Sequence, residues 1–288
     1  MPIPNLTIIG ESINDSVPST NKLFEANDIA GLKELAILQD TRGAGYIDVN
    51  VGPRSGDFLA EMVRTTQSVT ARPISIDTPD PVMAEAGLKA YDPELAGGAI
   101  PILNSISPAR TEMFELIKIT PFMPILLASE RLENGVGQAN DTAEEVYQTA
   151  RELVFAAGKH GIPVDHCIID PAISPIGADS DGRLHCLMGA IRLIHDDPDL
   201  KGVHMSVGLS NFSVMLPPKR ADGSPTKGPL ESAFLTLAVP LGMDHVIGSV
   251  KRKYEVLPPE HPAMKCVNDC LTLEGFDVIM RVQEYYAE

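Results

Sequence analysis

Short apolar segments alternate with longer segments of helical periodicity along this 288-residue chain. An apolar run of about four to eight residues is typical of a buried strand, whereas apolar residues spaced three and four apart are typical of a helix. We predict eight strands, near residues 6–10, 45–51, 73–77, 99–104, 122–128, 165–170, 202–207 and 243–248. The predicted helices lie near residues 25–42, 57–71, 80–91, 108–119, 142–161, 183–196, 228–241 and 262–286.

This alternation limits the choice of fold. A helix that connects two strands of one sheet forms a right-handed crossover, so the strands are parallel. Eight such units in 288 residues fit an α/β fold of the (β/α)8 TIM-barrel type, and we predict one barrel domain over residues 1–288. A doubly wound parallel sheet is the alternative.

Polar side chains recur where the predicted strands end. Asp48 and Asn50 close the second strand, Asp77 the third and Asn104 the fourth. Burying such groups costs free energy unless a partner satisfies them, and the carboxyl ends of all strands meet at one face of a barrel. We therefore predict a polar floor in the barrel mouth, formed by Glu11, Asn14, Asp48, Asn50, Asp77, Asn104, Asp170, Ser210 and Asn211.

Three long segments without regular periodicity, residues 129–141, 171–182 and 208–229, follow predicted strands. In a barrel they lie at the C-terminal face, where ligands bind. The segment 249–263 is also loop-like and begins with a basic run at residues 251–253.

The composition narrows the choice of partners. A net charge of -16 argues against nucleic acid, which needs clustered lysine and arginine, and against an anionic membrane. We find no signal peptide and no run of about 20 apolar residues. Four cysteines without a framework spacing suit a reducing cytoplasm. We interpret Cys266 and Cys270 as buried helix thiols rather than metal ligands.

The predicted floor is rich in hydrogen-bond acceptors. No His-x-His or His-Glu-x-x-His pattern occurs, and we assign no metal, although a magnesium site of three carboxylates stays open. A donor-rich heterocycle such as a pterin fits better, because an aspartate accepts two parallel hydrogen bonds and an asparagine offers both a donor and an acceptor. Nucleophilic catalysis is poorly supported, because the segment 208–211 lacks the second glycine of a nucleophile elbow.

Six segments together resemble one family. The chain resembles the pterin-binding methyltransferases that pass a methyl group between a corrinoid protein and tetrahydrofolate, with dihydropteroate synthase as a more distant relative. The matching segments are Ile9-Gly10-Glu11-Ser12-Ile13-Asn14, Ile47-Asp48-Val49-Asn50-Val51-Gly52, Ser75-Ile76-Asp77, Leu103-Asn104-Ser105-Ile106-Ser107, Asp170-Pro171 and Gly208-Leu209-Ser210-Asn211. They occur in order over roughly residues 6–250.

The resemblance implies roles for the ring-binding residues. Asp77, Asn104 and Asp170 would hold the pyrimidine edge of the pterin, and Asp48 and Asn50 would complete the floor. Asp48 is also a catalytic candidate.

The resemblance implies further roles around the rim of the mouth. Asn211 would reach N5, where the methyl group arrives or leaves, and is the main catalytic candidate. Gly208 and Ser210 would shape the loop that positions it, and Glu11 and Asn14 would line the mouth.

The resemblance also implies partners. The substrates would be tetrahydrofolate or 5-methyltetrahydrofolate and a methylcorrinoid. The corrinoid signature Asp-x-His-x-x-Gly is absent, since residues 244–248 are one residue short of it. The corrinoid would therefore sit on a separate protein, and a homodimer is expected. The upstream pathway would be anaerobic O-demethylation or acetogenic one-carbon metabolism.

Three other functions stay open. A dihydropteroate-synthase-like condensation would need a Ser-Arg-Lys-like anion site and an Arg-x-His near the C-terminus, and residues 208–211 and 250–253 offer neither arrangement. A folate-binding scaffold without chemistry is the second, and a metal-dependent barrel lyase is the third. The basic residues Lys219, Arg220, Lys227 and 251–253 either pair with the glutamate tail of the folate or an acidic partner, or form a solvated loop face.

Overall fold

Eight parallel strands form a sheet that closes on itself in the computed structural model, which describes residues 1–288. The strands are β1 (Thr7–Asn14), β2 (Tyr46–Asn50), β3 (Ile74–Asp77), β4 (Ile102–Ile106), β5 (Met123–Leu127), β8 (Ile168–Asp170), β9 (His204–Met205) and β10 (His245–Gly248). Their order is β10-β1-β2-β3-β4-β5-β8-β9. Isolated parallel bridges, Met205 to Met243 and Gly208 to Ile247, join the two ends. The predicted barrel is confirmed over the doubly wound alternative.

Nine α-helices surround the strands. They are α1 (Pro18–Glu25), α2 (Ile29–Thr41), α3 (Gly56–Gln67), α4 (Pro81–Ala90), α5 (Ala143–Lys159), α6 (Arg183–Asp196), α7 (Lys227–Ala238), α8 (Pro262–Cys270) and α9 (Phe276–Ala287). None of them is both long and apolar enough to cross a membrane.

The apolar residues form two layers of core. Ile9, Ile102, Ile125 and Ile168 pack with Met123. Because these residues come from strands that are not all neighbours, they fill the interior of the barrel. A cluster of 64 buried residues fills the space between the sheet and the helices. Cys266 and Cys270 are buried in α8, as the sequence predicts.

Several predicted helix boundaries are wrong. The helix predicted at 25–42 begins only at Ile29, and α1 precedes it. The helix predicted at 108–119 is a 3-10 helix, Pro108–Lys118, with a kink at Arg110. The helix predicted at 262–286 is divided into α8 and α9, because Gly275 adopts a positive φ of 59° before α9 begins.

The loop predicted at 129–141 contains a β-hairpin instead. Its strands are β6 (Glu130–Glu133) and β7 (Val136–Ala139). Asn134 and Gly135 form the two-residue turn with φ of 53° and 79°. Asn-Gly between two short strands is the strongest local signal for such a turn, so the sequence contained the information needed.

Candidate functional site

A cavity of about 480 Å³ opens at the carboxyl ends of the barrel strands. This volume lies within the range of about 300–1,000 Å³ that is typical of small-molecule sites. All the predicted binding residues except Asp48 and Asn50 line it, namely Glu11, Asn14, Asp77, Asn104, Asp170, Gly208, Ser210 and Asn211.

Strand register brings these side chains together. Asp77 on β3 pairs with Asn104 on β4, and Leu127 on β5 pairs with Asp170 on β8. Because parallel strands in register end at the same height, the last side chains of neighbouring strands face one space. The strand-end side chains of Asp77, Asn104 and Asp170 therefore share one surface, whereas Asp48 and Asn50 of the predicted floor do not line the cavity.

Asp48 lies beneath the cavity rather than on its wall. Its side chain is 0% exposed and accepts a hydrogen bond from Ser75 Oγ at 2.6 Å. Burial, together with the negative charge of Asp77, raises the pKa of Asp48 well above its usual range. Of the two neighbouring carboxyl groups, Asp48 therefore holds a proton more readily than Asp77, whose pKa is raised less.

Asp77 is the member of the pair that faces the cavity. Asn50 Nδ2 donates to Asp77 Oδ2 at 2.9 Å, while Asn50 Oδ1 accepts from the backbone N–H of Gly52 at 2.8 Å. Burial raises the pKa of Asp77, and the hydrogen bonds from Asn50 and Asp48 oppose that shift. Asn50 and Asp48 thus act on a ligand through Asp77.

Asp170 provides a second carboxylate on the cavity wall. The backbone N–H of Ala172 donates to Asp170 Oδ1 at 2.8 Å. Burial raises the pKa of Asp170 to about 6, because the single hydrogen bond only partly replaces water around the charge. Asp170 is therefore ionised at neutral pH and becomes neutral in mild acid.

The rim of the cavity is also hydrogen-bonded. Ser210 Oγ donates to Glu11 Oε2 at 2.6 Å, which connects the turn after β9 to β1. Asn14 Oδ1 accepts from the backbone N–H of Ser16 at 2.9 Å. Asn211 lies on a 3-10 turn, Leu209–Ser213, and its Nδ2 lies 2.9 Å from the point that a Cβ on Gly208 would occupy.

No lysine, arginine or histidine lines the cavity, whereas Glu11, Asp77 and Asp170 all do. Such a site favours a neutral ligand with several N–H donors on one edge, because each carboxylate accepts charge-assisted hydrogen bonds. An anion placed here would meet carboxylates without a cation to pair with.

Seven further residues line the cavity that the sequence analysis did not identify. They are Ser16, Val17, Leu127, Ala172, Ile173, Val214 and Ile247. Most are apolar and occupy loops or strand ends, where no motif distinguishes them from core residues. They supply the apolar surface against which a flat ring would pack.

The chain belongs to the pterin binding enzyme family, whose sequence profile matches residues 14–248. More particularly, it is similar to the methylcorrinoid:tetrahydrofolate methyltransferase of Eubacterium limosum. The two are 27% identical over 247 residues, which is 84% of each chain.

Solved structures of dihydropteroate synthases share the fold. The Xanthomonas albilineans enzyme with 4-aminobenzoic acid superposes with a TM-score of 0.56 at 17% identity, over 93% of this chain and 90% of that one. The Vibrio fischeri 7,8-dihydropteroate synthase superposes with a TM-score of 0.56 at 14% identity, over 97% of this chain and 92% of that one. At these identities the likeness confirms the predicted dihydropteroate-synthase-like barrel and nothing further.

Proposed function

We propose that this protein moves a methyl group between a methylcorrinoid protein and N5 of tetrahydrofolate. The observation that best supports the proposal is the carboxylate-lined, cation-free cavity at the barrel mouth, in which Asn50 holds the Asp77 carboxylate by a hydrogen bond. The similarity to the Eubacterium limosum methyltransferase names the reaction class.

The pterin ring would bind by its pyrimidine edge. Asp77 accepts from the 2-amino group and N3–H in parallel, a two-point contact strengthened by charge. Asp170 accepts from a further ring donor, and the amide of Asn104 offers both a donor and an acceptor. Three rigid strand ends hold these groups, so the ring would be fixed before the reaction begins.

Asn211 would act at the reacting nitrogen. In the direction of folate methylation the N5 lone pair forms the new N–C bond, the cobalt–carbon electron pair stays on cobalt, and the N5 proton leaves. In the reverse direction N5 must become cationic before the methyl group departs. The side-chain carbonyl of Asn211 can accept a hydrogen bond from N5–H and so stabilise positive charge there in both directions.

A pterin condensation is the weaker candidate. Such a reaction starts from a pterin diphosphate, whose phosphates need cations. The cavity lining contains none, so the residues present fit a neutral pterin better than a phosphorylated one.

Incubation with a methylated corrinoid and tetrahydrofolate tests the proposal. We expect loss of the methylcobalamin absorbance and formation of an equal amount of 5-methyltetrahydrofolate. Asn211→Ala should lower the rate by about 10²-fold and weaken folate binding by much less, because the lost contact acts mainly in the transition state. Binding of folate without any methyl transfer from corrinoid proteins would instead support a scaffold.

A further inference from the structure

A groove with an excess of positive charge lies beside the pterin cavity. It has a volume of about 520 Å³ and is formed by the first residues of α7 and the loop after β10. Both segments follow barrel strands, so the groove opens on the same face as the cavity. Its charged residues are Lys227, Lys251, Arg252, Lys253 and Glu255. We call it the basic groove.

Two of the cations have no carboxylate partner. Lys227 Nζ donates to the backbone carbonyl of Val214 at 3.0 Å, and Lys251 is exposed and takes part in no ion pair. Burial and the nearby charge of Arg252 lower the pKa of Lys227. This is the direction expected where two cations lie close together.

The other two cations are paired. Arg252 contacts the fully buried carboxylate of Glu231, and Lys253 Nζ lies 2.9 Å from Glu255 Oε1. The pair with Glu231 holds Arg252 in place and neutralises it. The charge left over in the groove therefore comes mainly from Lys227 and Lys251.

The beginning of α7 adds to the positive potential. Gly228 and Pro229 line the groove, the N-cap residue Thr226 makes no side-chain cap bond, and the first turn has no acidic residue. Thr226 Oγ1 is buried and has no hydrogen-bond partner. A helix N-terminus without an acidic residue favours an anion, in a chain whose net charge is -16.

A single turn separates the groove from the cavity. Val214 lines the cavity and also accepts the hydrogen bond from Lys227. Ser213, the preceding residue, accepts a hydrogen bond from Arg252 Nη1 at 3.3 Å. Val214 and Met215 are 54% and 71% exposed. A ligand that leaves the cavity over these residues therefore reaches the lysines directly.

We propose that the basic groove binds the γ-linked glutamate tail of the folate whose pterin ring occupies the cavity. This inference rests on the proposed function. Each added glutamate brings one carboxylate on a flexible chain, and lysines bind carboxylates as mobile point charges. The groove lies one turn away from the cavity, so a chain attached to the bound ring can reach it, which favours the folate tail over a separate protein partner.

Calorimetry with 5-methyltetrahydrofolate bearing one or three glutamates tests the proposal. In wild-type protein at low salt we expect the triglutamate to bind about tenfold more tightly, and the ratio to fall as salt screens the contacts. Lys227→Ala/Lys251→Ala should reduce the ratio to about twofold. Lys159→Ala/Lys201→Ala, which removes two exposed lysines at the opposite end of the barrel, should leave it unchanged.

Each alternative result has a defined meaning. Equal affinity for the two folates in wild-type protein would overturn the assignment of the groove and leave the proposed function standing. Failure of both folates to bind would overturn both. If the Lys227→Ala/Lys251→Ala variant keeps the ratio but slows methyl transfer from the corrinoid protein, the groove contacts that partner, and the tail assignment is wrong.

Discussion

At the scale of single residues, burial distinguishes two neighbouring aspartates. Asp48 lies beneath the cavity with a pKa raised well above its usual range, whereas Asp77 faces the cavity and its pKa is raised less. An asparagine in place of Asp48 would still accept from Ser75 and donate to Asp77. An asparagine in place of Asp77 would present an amide with one acceptor to ring donors that need two.

We therefore expect Asp77→Asn to weaken 5-methyltetrahydrofolate binding by about 10- to 100-fold, since charged hydrogen bonds contribute about 1.5–3 kcal/mol. The affinity of Asp48→Asn for 5-methyltetrahydrofolate should stay within about threefold of the wild-type value, because this side chain does not contact the ligand. Calorimetry measures both. A loss of turnover in Asp48→Asn with intact binding would show instead that the Asp48 proton takes part in the reaction, as its predicted catalytic role requires.

The raised pKa of Asp170 predicts a pH dependence. Protonation removes the acceptor, so folate affinity should fall below the pKa of about 6, by about tenfold at pH 5. Asp170→Asn should bind folate weakly, and its folate affinity should not change between pH 5 and 7.5. A wild-type affinity that is flat over this window would contradict the assignment.

The same shift has a consequence for stability. At pH values between the unfolded and folded pKa of Asp170, the native state binds more protons than the unfolded state. The free energy of unfolding therefore falls as pH rises from about 4 to about 6. Asp170→Asn removes the buried charge that causes this loss of stability. Its Tm at pH 7.5 should therefore equal or exceed that of wild type, which separates lost binding from lost folding.

The sequence identified eight of the cavity-lining residues because most of them close or directly follow an apolar strand. It could not show that Asp48 is buried below the cavity. In β2 the residues Ile47, Asp48 and Val49 are all buried, since helices cover one face of a parallel barrel strand and core fills the other. The sequence of such a strand does not alternate between apolar and polar residues, so it does not show which side chains face the barrel mouth.

At the scale of elements, the turn after β9 depends on a missing side chain. Gly208 has φ of -72°, which any residue adopts, so its role is to leave room for Asn211. Gly208→Ala should displace the Asn211 amide, which can rotate away at small cost in stability. We expect kcat to fall by about tenfold or more while Tm changes little.

Gly158→Ala is the matched control for this variant. Gly158 lies in α5, and an added Cβ there meets nothing within 4 Å. The control should keep full kcat. A Gly208→Ala variant with wild-type kcat would mean that the Asn211 amide has no role in turnover.

Element types were predicted better than element ends. The eight strands follow from apolar runs, but the division between α8 and α9 follows from backbone geometry at Gly275. Likewise, the 3-10 form of Pro108–Lys118 was not predicted, because side chains three residues apart lie close together in both kinds of helix.

At the scale of the whole molecule, a cluster of charged groups lies at the end of the barrel opposite the cavity. Asp244 Oδ2 lies 2.6 Å from His204 Nδ1, and Asp244 Oδ1 lies 2.8 Å from His245 Nδ1. These residues begin β9 and β10. The hydrogen bond with Asp244 raises the pKa of His204, and the two histidines help to hold the pKa of Asp244 below its usual range.

Because the pKa of His204 is raised, its contribution to stability is complete below about pH 6.5 and is lost as pH rises through the folded value. Asp244→Asn should lower the free energy of unfolding by about 1 kcal/mol at pH 6 and by less at pH 9, since the pair is partly exposed. Thermal melts at the two pH values measure the difference. An equal loss of unfolding free energy at pH 6 and pH 9 would contradict a charged His204.

The barrel has one weak strand pairing, between β9 and β10. β9 has two residues, and it meets β10 through isolated bridges rather than a continuous ladder. The turn that positions Asn211 begins at one of these bridges, at Gly208, and Ile247 on the other side lines the cavity. A bound folate would contact residues on both sides of the β9–β10 pairing. Occupancy of the cavity would then slow amide hydrogen exchange across the last two strands, so that substrate binding and closure of the barrel become one thermodynamic event.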